Sequence, residues 1–447
     1  IGTIVSNGAN GGKLTVQFNA SATADAVEHV IENLTYANTV SNPIASRTIS
    51  IRVTDGDGGA SVPRNVEIIV TPETDGAVRF GLEKVVNTTV TGQQQEPSIA
   101  RLSDGGYVVV WEDQSGADGN SYGVYGQRYD SNDNAVGGQF RANTVTANAQ
   151  YEAQVTGLNG GGFVVVWRSE GQDGSGSGVY GQRYNAAGVA QGTEFRVNTS
   201  TDQNQYQPTI TATADGGFVV GWYDDYYTNA GNTEYRDILF QRFNATGVAQ
   251  GTETRANPTG EGTVAQYEPS ITALAGGGFM AVWTDASKDG NGSGIYGQRF
   301  TALGVPAGPV LQINSYITTT QDAPSVAGLK DGGFIAVWES EGQDLSSTGI
   351  YAQRFDATGA KVGTEFRVNT HITNQQIEPT VTALENGGWV VGWTDQSNAV
   401  GSGYDIFVQQ YNALGQAVDG ETLVNSYIYS TQSQPSITSM PDGGFVV

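Results

Sequence analysis

The sequence contains no cysteine and only two histidines among its 447 residues. Without cysteine there is no disulfide framework, no thiol nucleophile and no thiolate metal site. The two histidines, His29 and His371, lie far apart in the chain, so a zinc site of the usual histidine-rich kind is not expected. The same scarcity excludes a Ser–His–Asp triad, because neither histidine lies in a recurrent loop.

Basic residues are also scarce, since 21 Lys and Arg stand against 45 Asp and Glu for a net charge of −24. This charge repels nucleic acid and anionic membranes, and it favours hard cations that take oxygen ligands. No apolar run approaches the roughly 20 residues of a membrane helix. We therefore expect no nucleic-acid partner and no direct membrane insertion.

Glycine and internal repeats are what the sequence has in excess. The 62 glycines are about twice the usual share of roughly 7%. The stretch "DGGYVVVW", residues 104–111, recurs along the chain with small changes, at intervals of 55 to 61 residues. Periods of this length are typical of solenoids, propellers and arrays. The aromatic residue after the glycines falls at Tyr107, Phe163, Phe218, Phe279, Phe334, Trp389 and Phe445.

Each repeat contains four short strand-like segments bounded by Gly, Asn and Asp, as in "AQVTGL", "FVVVW", "VYGQRYN" and "TEFRVNT". The pattern predicts an all-β fold in which residues 77–447 form a seven-bladed β-propeller with four-stranded blades, the last blade being incomplete. "EKVVNTT", residues 83–89, matches a fourth strand and is expected to complete that last blade. The alternative is a linear array of separate sheets, whose exposed edges would invite aggregation.

Residues 1–75 do not follow the repeat. Strand-like segments flank residues 23–36, "TADAVEHVIENLTY", which have helical spacing. The stretches "NLTYANT" and "VTDGDGGAS" resemble cadherin-like or immunoglobulin-like modules. The resemblance implies a partial β-sandwich whose first strands lie upstream of Ile1, with calcium held at its edge by Asp55 and Asp57.

Loops between the second and third strands of the repeats, such as "GQDGSGSG", are expected on one face of the ring. They combine carboxylates with glycines that let backbone carbonyls turn inward, which suits Ca²⁺. The alternative is that Asp-Gly and Gly-Ser form tight solvated turns. The candidate calcium ligands in these loops are Asp118, Asp173, Asp289 and Asp344.

The third repeat departs from the others in the same loop, where tyrosines and acids cluster. Aromatic rings stack on sugars and carboxylates bind hydroxyls, so this loop is a candidate glycan or peptide site. An irregular solvated insertion is the competing interpretation. The candidate ligand-binding residues are Asp224, Asp225, Tyr226, Tyr227, Tyr235 and Asp237.

Residues that recur in every repeat are expected to be structural, because a catalytic group would normally occur once. This applies to the Arg of "GQRY", to the Trp that ends each second strand, and to the recurrent Asn and Gln between repeats. Two carboxylates are all that a glycosidase needs, so the abundant acids keep an enzyme possible. No residue is predicted as catalytic.

The repeat "GGFVVVW…GQDGSGxGVYGQRYNAAG" resembles repeats of very large secreted bacterial RTX-type adhesins. The resemblance implies a secreted, cell-surface, calcium-stabilised and non-enzymatic module for adhesion or for surface or matrix assembly. Its partner would be a surface or matrix glycan or protein, or further copies of itself. The alternative is a polysaccharide-active enzyme or a glycan-binding lectin.

Overall fold

The computed structural model divides the chain into two compact units, Ile1–Glu73 and Thr74–Val447. In the residues that it describes, all regular structure is β-strand. No helix in this part of the chain is both long enough and apolar enough to cross a membrane. The structure describes residues 2–7, 14–18, 46–51, 64–69, 83–202, 204–227, 234–258, 265–286, 288–397 and 403–447.

The first unit is described as two antiparallel hairpins. One joins β1 (Gly2–Asn7) to β2 (Leu14–Phe18), and the other joins β3 (Ser46–Ile51) to β4 (Arg64–Ile69). Two separate hairpins do not make a sandwich, so the predicted cadherin-like or immunoglobulin-like module is not supported. The predicted helix at residues 23–36 and the candidate ligands Asp55 and Asp57 lie outside the described residues.

The second unit contains six four-stranded antiparallel sheets, each formed by one sequence repeat in the order first, second, third, fourth strand. These are the six blades of a β-propeller. The first three blades are β5 (Gln94–Arg101), β6 (Tyr107–Asp113), β7 (Gly123–Tyr129) and β8 (Ala135–Arg141); β9 (Gln150–Gly157), β10 (Phe163–Glu170), β11 (Ser177–Tyr184) and β12 (Ala190–Arg196); and β13 (Asn204–Ala212), β14 (Phe218–Tyr227), β15 (Glu234–Phe243) and β16 (Ala249–Arg255).

The fourth blade differs from the rest because its last strand has only two residues. Pro306 and Pro309 precede that strand, and proline cannot donate a hydrogen bond to a sheet. The last three blades are β17 (Gln266–Ala273), β18 (Phe279–Asp285), β19 (Gly294–Phe300) and β20 (Leu311–Gln312); β21 (Gln321–Gly328), β22 (Phe334–Glu341), β23 (Thr348–Phe355) and β24 (Lys361–Arg367); and β25 (Gln376–Ala383), β26 (Trp389–Asp395), β27 (Asp405–Tyr411) and β28 (Ala417–Leu423).

The core of the propeller lies between neighbouring blades. The second strands are buried on both sheet faces, which explains their continuous Val and Ile runs. Trp167 of the second blade, for example, packs with Val110 and Val124 of the first. The recurrent tryptophans are therefore packing residues, as predicted.

The first strands of consecutive blades contact one another, so they are the innermost strands. The series closes through β29 (Thr438–Ser439), which contacts both β25 and β5 and pairs with β30 (Phe445–Val446). Such closure rules out the linear array. The structure has six four-stranded blades rather than the predicted seven, because the seventh repeat forms only this two-stranded sheet.

Residues 83–90 lie beside the two-stranded sheet, where they make the contacts of a fourth strand. Glu421, in the fourth strand of the sixth blade, accepts a hydrogen bond from Thr370 N at 3.0 Å. Glu83 accepts the equivalent bond from Ser426 N at 2.9 Å, and Val86 and Val446 both pack against the same hydrophobic cluster of the first blade. The two ends of the propeller repeats are thus held together by side-chain contacts.

Strand direction defines two faces of the propeller. The entry face carries the connections between blades and the loops between second and third strands. The turn face carries the two tight turns of each blade. On the turn face, Arg128 Nη2 donates to Ala186 O of the next blade at 2.8 Å, and Arg183 donates likewise to Thr246 O at 2.7 Å. These recurrent arginines hold blades together, as predicted.

Candidate functional site

The predicted ligand loop of the third repeat is a long hairpin rather than an irregular insertion. The second and third strands of this blade extend until Tyr227 pairs with Glu234. The acids of the hairpin bind within the protein: Asp224 accepts from Gln205 Nε2 at 2.7 Å, and Asp237 contacts Arg255 and Asn257. Asp225 lies 3.9 Å from Arg236 Nε. The side chains of Tyr226, Tyr227 and Tyr235 are outside the described part.

The four predicted calcium ligands occupy equivalent places in four blades. Asp173 Oδ1 accepts a hydrogen bond from Ser175 N at 3.1 Å, which forms a tight turn, and the other three make the same bond two residues onward. Among the described residues, no three acidic or histidine side chains are placed to hold one metal ion. Calcium binding therefore stays a prediction.

The innermost strands are joined by a belt of seven hydrogen bonds on the entry face. In each repeat the residue before the Pro or Ala of the first strand has φ between 48° and 57°. This costs on the order of 1–3 kcal/mol, and it turns the backbone N–H towards the preceding repeat. The donor–acceptor pairs are Glu96 N–Gln434 (3.2 Å), Glu152 N–Glu112, Gln207 N–Glu152 (2.6 Å), Glu268 N–Gln207 (3.1 Å), Ala323 N–Glu268 (2.8 Å), Glu378 N–Glu339 (2.7 Å) and Gln434 N–Glu378 (2.7 Å).

Two acids near the belt, Glu96 and Asp322, accept none of its hydrogen bonds. In the first blade Glu112 serves as the acceptor, and the carboxyl group of Glu96 hydrogen-bonds to that of Glu112. In the fifth blade the acceptor is Glu339, and Asp322 faces it from the neighbouring strand as its direct cross-strand partner. Glu96 and Asp322 are therefore not needed as acceptors in the belt.

Both acceptors have carboxyl groups that stay protonated near neutral pH. Burial is the main cause that raises the pKa of Glu112 to about 8, and the hydrogen bond to Glu96 adds to it. Burial likewise raises the pKa of Glu339 to about 8. The pKa of Asp322 rises to about 6 through burial and the nearby charges of Glu268 and Glu341. Separated pKa values of this kind characterise acid–base pairs at functional sites.

A stack of tyrosines and arginines adjoins the acids on the same face. Arg168 lies over the rings of Tyr151 and Tyr206, 4.5 Å and 4.9 Å from their centroids. The Tyr206 and Tyr223 rings are 5.3 Å apart. Arg236 continues the stack between Tyr223 and Tyr267, and Tyr122 extends it beyond Tyr151. This Tyr–Arg stack comprises Tyr122, Tyr151, Arg168, Tyr206, Tyr223, Arg236 and Tyr267.

We call the acids and the Tyr–Arg stack together the central site. Its acid members are Glu96, Glu112, Glu152, Asp322 and Glu339. The members differ from repeat to repeat while the strands around them do not. Flat aromatic groups beside hydrogen-bonding carboxyls suit a sugar ring, which has apolar faces and polar edges.

The central site was not predicted from the sequence, because the predicted sites lie at loop tips and the recurrent residues are structural. The informative signal is variation at a fixed place. The residue after the second-strand Trp is Glu112, Arg168, Tyr223, Thr284, Glu339 or Thr394, and the residue after the first-strand Gln varies in the same way. Antiparallel pairing brings these two varying positions together, as in Tyr151 with Arg168 and Asp322 with Glu339.

No protein-family model matches the chain, and no curated protein matches it. Solved structures that resemble it include a Dyadobacter fermentans protein of unknown function, with 11% identity, a TM-score of 0.49, and coverage of 68% of this chain and 91% of that one. An α-L-arabinanase of Penicillium chrysogenum has 17% identity and a TM-score of 0.48, with coverage of 68% and 90%. The NanB sialidase of Streptococcus pneumoniae has 9% identity and a TM-score of 0.42, with coverage of 81% and 66%.

The prediction that the chain is not an enzyme is contradicted by these matches. The arabinanase and the sialidase are both glycosidases, so this kind of fold gives no ground for excluding catalysis. Likeness at such scores shows neither a shared activity nor a shared substrate. Evidence for the function of this chain has to come from its own residues.

Proposed function

We propose that the chain is a glycan-active propeller that binds a sugar chain at the central site and hydrolyses it there. The observation that carries the proposal is the Asp322–Glu339 pair beside the Tyr–Arg stack. Its two carboxyl groups have pKa values of about 6 and about 8. At neutral pH one group is therefore ionised and the other protonated, which is the combination that glycoside hydrolysis uses.

Asp322 and Glu339 face each other directly across neighbouring strands, which is compatible with the covalent route of retaining glycosidases. Directly opposite residues of neighbouring antiparallel strands have Cβ atoms about 4.5–5.5 Å apart. Retaining glycosidases hold their two carboxyl groups about 5–5.5 Å apart, whereas inverting enzymes need a wider gap for water. In the first step Asp322 attacks the anomeric carbon, the glycosidic bond breaks, and the leaving oxygen takes the proton of Glu339. In the second step Glu339 takes a proton from water, whose oxygen displaces Asp322 from the anomeric carbon.

Glu339 is oriented for this role by the belt. Its Oε1 accepts the hydrogen bond from Glu378 N at 2.7 Å, which leaves Oε2 to carry the proton. The Tyr–Arg stack would hold neighbouring sugar units against aromatic groups. A secreted, cell-surface location and an RTX-type parent protein remain proposals that fit a glycan partner.

Hydrolysis by Asp322→Asn and Glu339→Gln variants tests the proposal. Neither change removes a group that the fold requires: the position of Asp322 is occupied by Gln95, Tyr151 or Ile377 in other repeats, and amide oxygens serve as acceptors at two belt links. Against a panel of neutral and acidic polysaccharides, we expect the native chain to release reducing ends. Each variant should lose at least about a hundredfold in kcat, because general acid–base catalysis contributes 10²–10⁴-fold.

Asp356→Asn is the matched control. Asp356 shapes an exposed turn on the turn face, where Asn185, Asn244 and Asn412 do the same in other repeats, so its activity should stay unchanged. Full activity in both variants would refute the assigned pair. Tight glycan binding without release of reducing ends would favour a lectin instead.

A further inference from the structure

Arg168 departs from its repeat in a way that the fold does not explain. The equivalent positions hold Glu, Tyr or Thr, so this is the one arginine directly after a second-strand Trp. Arg168 Nε lies 3.6 Å from Glu152 Oε2, and Glu152 is the belt acceptor for Gln207 N. A charged pair is not needed for that link, because the neutral Gln207 and Gln434 serve as acceptors at two other links.

The guanidinium group of Arg168 is held in place on three sides. Its Cζ atom lies over the rings of both Tyr151 and Tyr206, and Glu152 approaches the Nε edge. Neither Nη nitrogen donates a hydrogen bond to any described residue. The group therefore presents its free donors as a rigid fork, with little conformational entropy left to lose on binding.

A fixed guanidinium fork matches a planar carboxylate, which accepts two parallel hydrogen bonds. A neutral sugar hydroxyl cannot use the fork in this way. We infer that the central site takes a glycan that carries carboxylate groups, a uronic-acid polysaccharide, with Arg168 binding the carboxylate. This inference rests on the proposed glycan-active function and specifies its substrate class.

The net charge of −24 opposes an acidic ligand at long range. Close contact with Arg168 has to overcome that repulsion, and salt weakens the repulsion more than it weakens the contact. At 0.15 M salt the Debye length is about 8 Å, so distant acids are largely screened. Burial keeps Glu112 protonated, because its pKa rises to about 8, and this removes one nearby negative charge.

The test compares binding of paired probes by calorimetry at 0.15 M salt and pH 7. The pairs are oligogalacturonate with its methyl ester, and oligomannuronate and oligoglucuronate with their carboxyl-reduced forms. Neutral arabinan, galactan and glucan oligosaccharides complete the panel. Every protein is the full chain with Glu339→Gln, so that the probes stay intact. The variants add Arg168→Lys, or Arg196→Lys as the control, since Arg196 is an exposed arginine of the same blade.

We expect at least one acidic probe to bind about tenfold tighter than its neutral partner, the gain of a charge-assisted hydrogen bond. Arg168→Lys should lower this preference severalfold, because an ammonium group cannot form the planar fork. Arg196→Lys should leave the preference intact.

Two results would overturn the inference while the proposed function stands: equal binding of acidic and neutral partners, or an acid preference that is undiminished in Arg168→Lys. If the full panel shows neither binding nor, with the native Glu339, hydrolysis, the proposed function fails and the inference fails with it.

Discussion

Single carboxyl groups supply the chemistry proposed for the central site, and burial determines whether they are protonated. Glu112 and Glu339 are placed where the belt needs an acceptor, and water is largely excluded there. Loss of solvation disfavours the charged form, so each group keeps its proton at neutral pH. The pKa of Asp322 is raised less, to about 6, so the two members of the proposed catalytic pair have different pKa values.

The proposed hydrolysis should show a bell-shaped pH profile. Asp322 must be ionised, so kcat/KM should rise as pH increases through about 6. Glu339 must be protonated, so the rate should fall as pH increases through about 8. Initial rates on the preferred polysaccharide between pH 4 and pH 10 measure both limbs, which are macroscopic values of the pair. A profile that keeps rising above pH 9 would exclude Glu339 as the acid.

Folding stability should decline over nearly the same pH range. The pKa of Glu112 is about 8 in the folded chain and about 4.5 for an unperturbed glutamate, so between these pH values the folded state binds more protons than the unfolded state. Its contribution is complete below about 4.5 and is lost as pH rises through about 8. Glu112→Gln keeps an acceptor for Glu152 N but removes the titration.

Urea unfolding at pH 5 and pH 8 checks this expectation. Relative to the native chain, Glu112→Gln should gain on the order of 2 kcal/mol at pH 8 and little at pH 5. Asp356→Asn should show no such difference between the two pH values. An equal effect of Glu112→Gln at both would contradict the raised pKa.

Each of the six blades places one carboxylate near the start of its third strand. The carboxylate belongs either to the preceding loop or to the strand itself. In four blades the carboxylate comes from the loop, and a glycine is the first or second residue of the third strand. A Cβ added at Gly178 would lie 2.8 Å from Asp173 Oδ2. In the third and sixth blades the third strand itself carries Asp237 or Asp405, each accepting from the recurrent Asn. The loop "GQDGSGSG" therefore places a carboxylate with a buried Oδ2 at a fixed position, whether or not calcium also binds there.

Moving the carboxylate of the second blade from the loop to the third strand should give strongly non-additive effects on the free energy of unfolding. Asp173→Ala alone loses the turn, and Gly178→Asp alone puts two carboxylates in one place, so each should cost about 1–3 kcal/mol. The double variant reproduces the arrangement of Asp237 and should cost less than the sum. Free energies of unfolding in urea give the coupling energy. Additive effects would show that the two positions do not share a site.

Calcium removal tests the remaining metal prediction at these loops. If Asp118, Asp173, Asp289 and Asp344 hold calcium, the thermal midpoint should fall when EDTA is added and recover with excess Ca²⁺. The quadruple variant with Asn at these positions should no longer respond. An unchanged midpoint for the native chain would leave the four aspartates as turn-forming residues.

Closure of the whole ring depends on contacts between residues about 340 positions apart in the chain. Ile99 N and Arg101 N donate to Ser436 Oγ and Thr438 Oγ1, both at 3.1 Å. The same kind of bond joins Val155 N to Ser98 Oγ between the first two blades. The closing interface is thus built like an internal one, although it joins opposite ends of the repeat array.

Removal of a closing bond should therefore cost as much as removal of an internal one. Ser436→Ala and Ser98→Ala should each lower the free energy of unfolding by about 1 kcal/mol, the usual value of one hydrogen bond. Urea denaturation of both variants measures the difference. A negligible effect of Ser436→Ala beside a normal effect of Ser98→Ala would indicate that the ring is open in solution.

The sequence by itself determined the all-β architecture, the four-stranded repeat, the buried second strands and the structural character of the recurrent Arg and Trp. These follow from local patterns, because strand periodicity, glycine turns and repeat length need no long-range information. The same patterns, with the family resemblances drawn from them, led to a seven-bladed propeller with an incomplete last blade, a cadherin-like module and a non-enzymatic role. A repeated motif predicts a strand, but it does not show whether that strand pairs with others to form a four-stranded sheet.

Only the tertiary structure decided where the central site lies. Asp322 and Glu339 are 17 positions apart in the sequence. Glu96 and Gln434, which are hydrogen-bonded in the closed ring, are 338 positions apart in the sequence. Each of these residues is an ordinary polar side chain in the sequence. Antiparallel pairing and ring closure place them together on one face, and burial there shifts their protonation. Variation between repeats marks these positions in the sequence, but their proximity and the exclusion of water are properties of the folded chain alone.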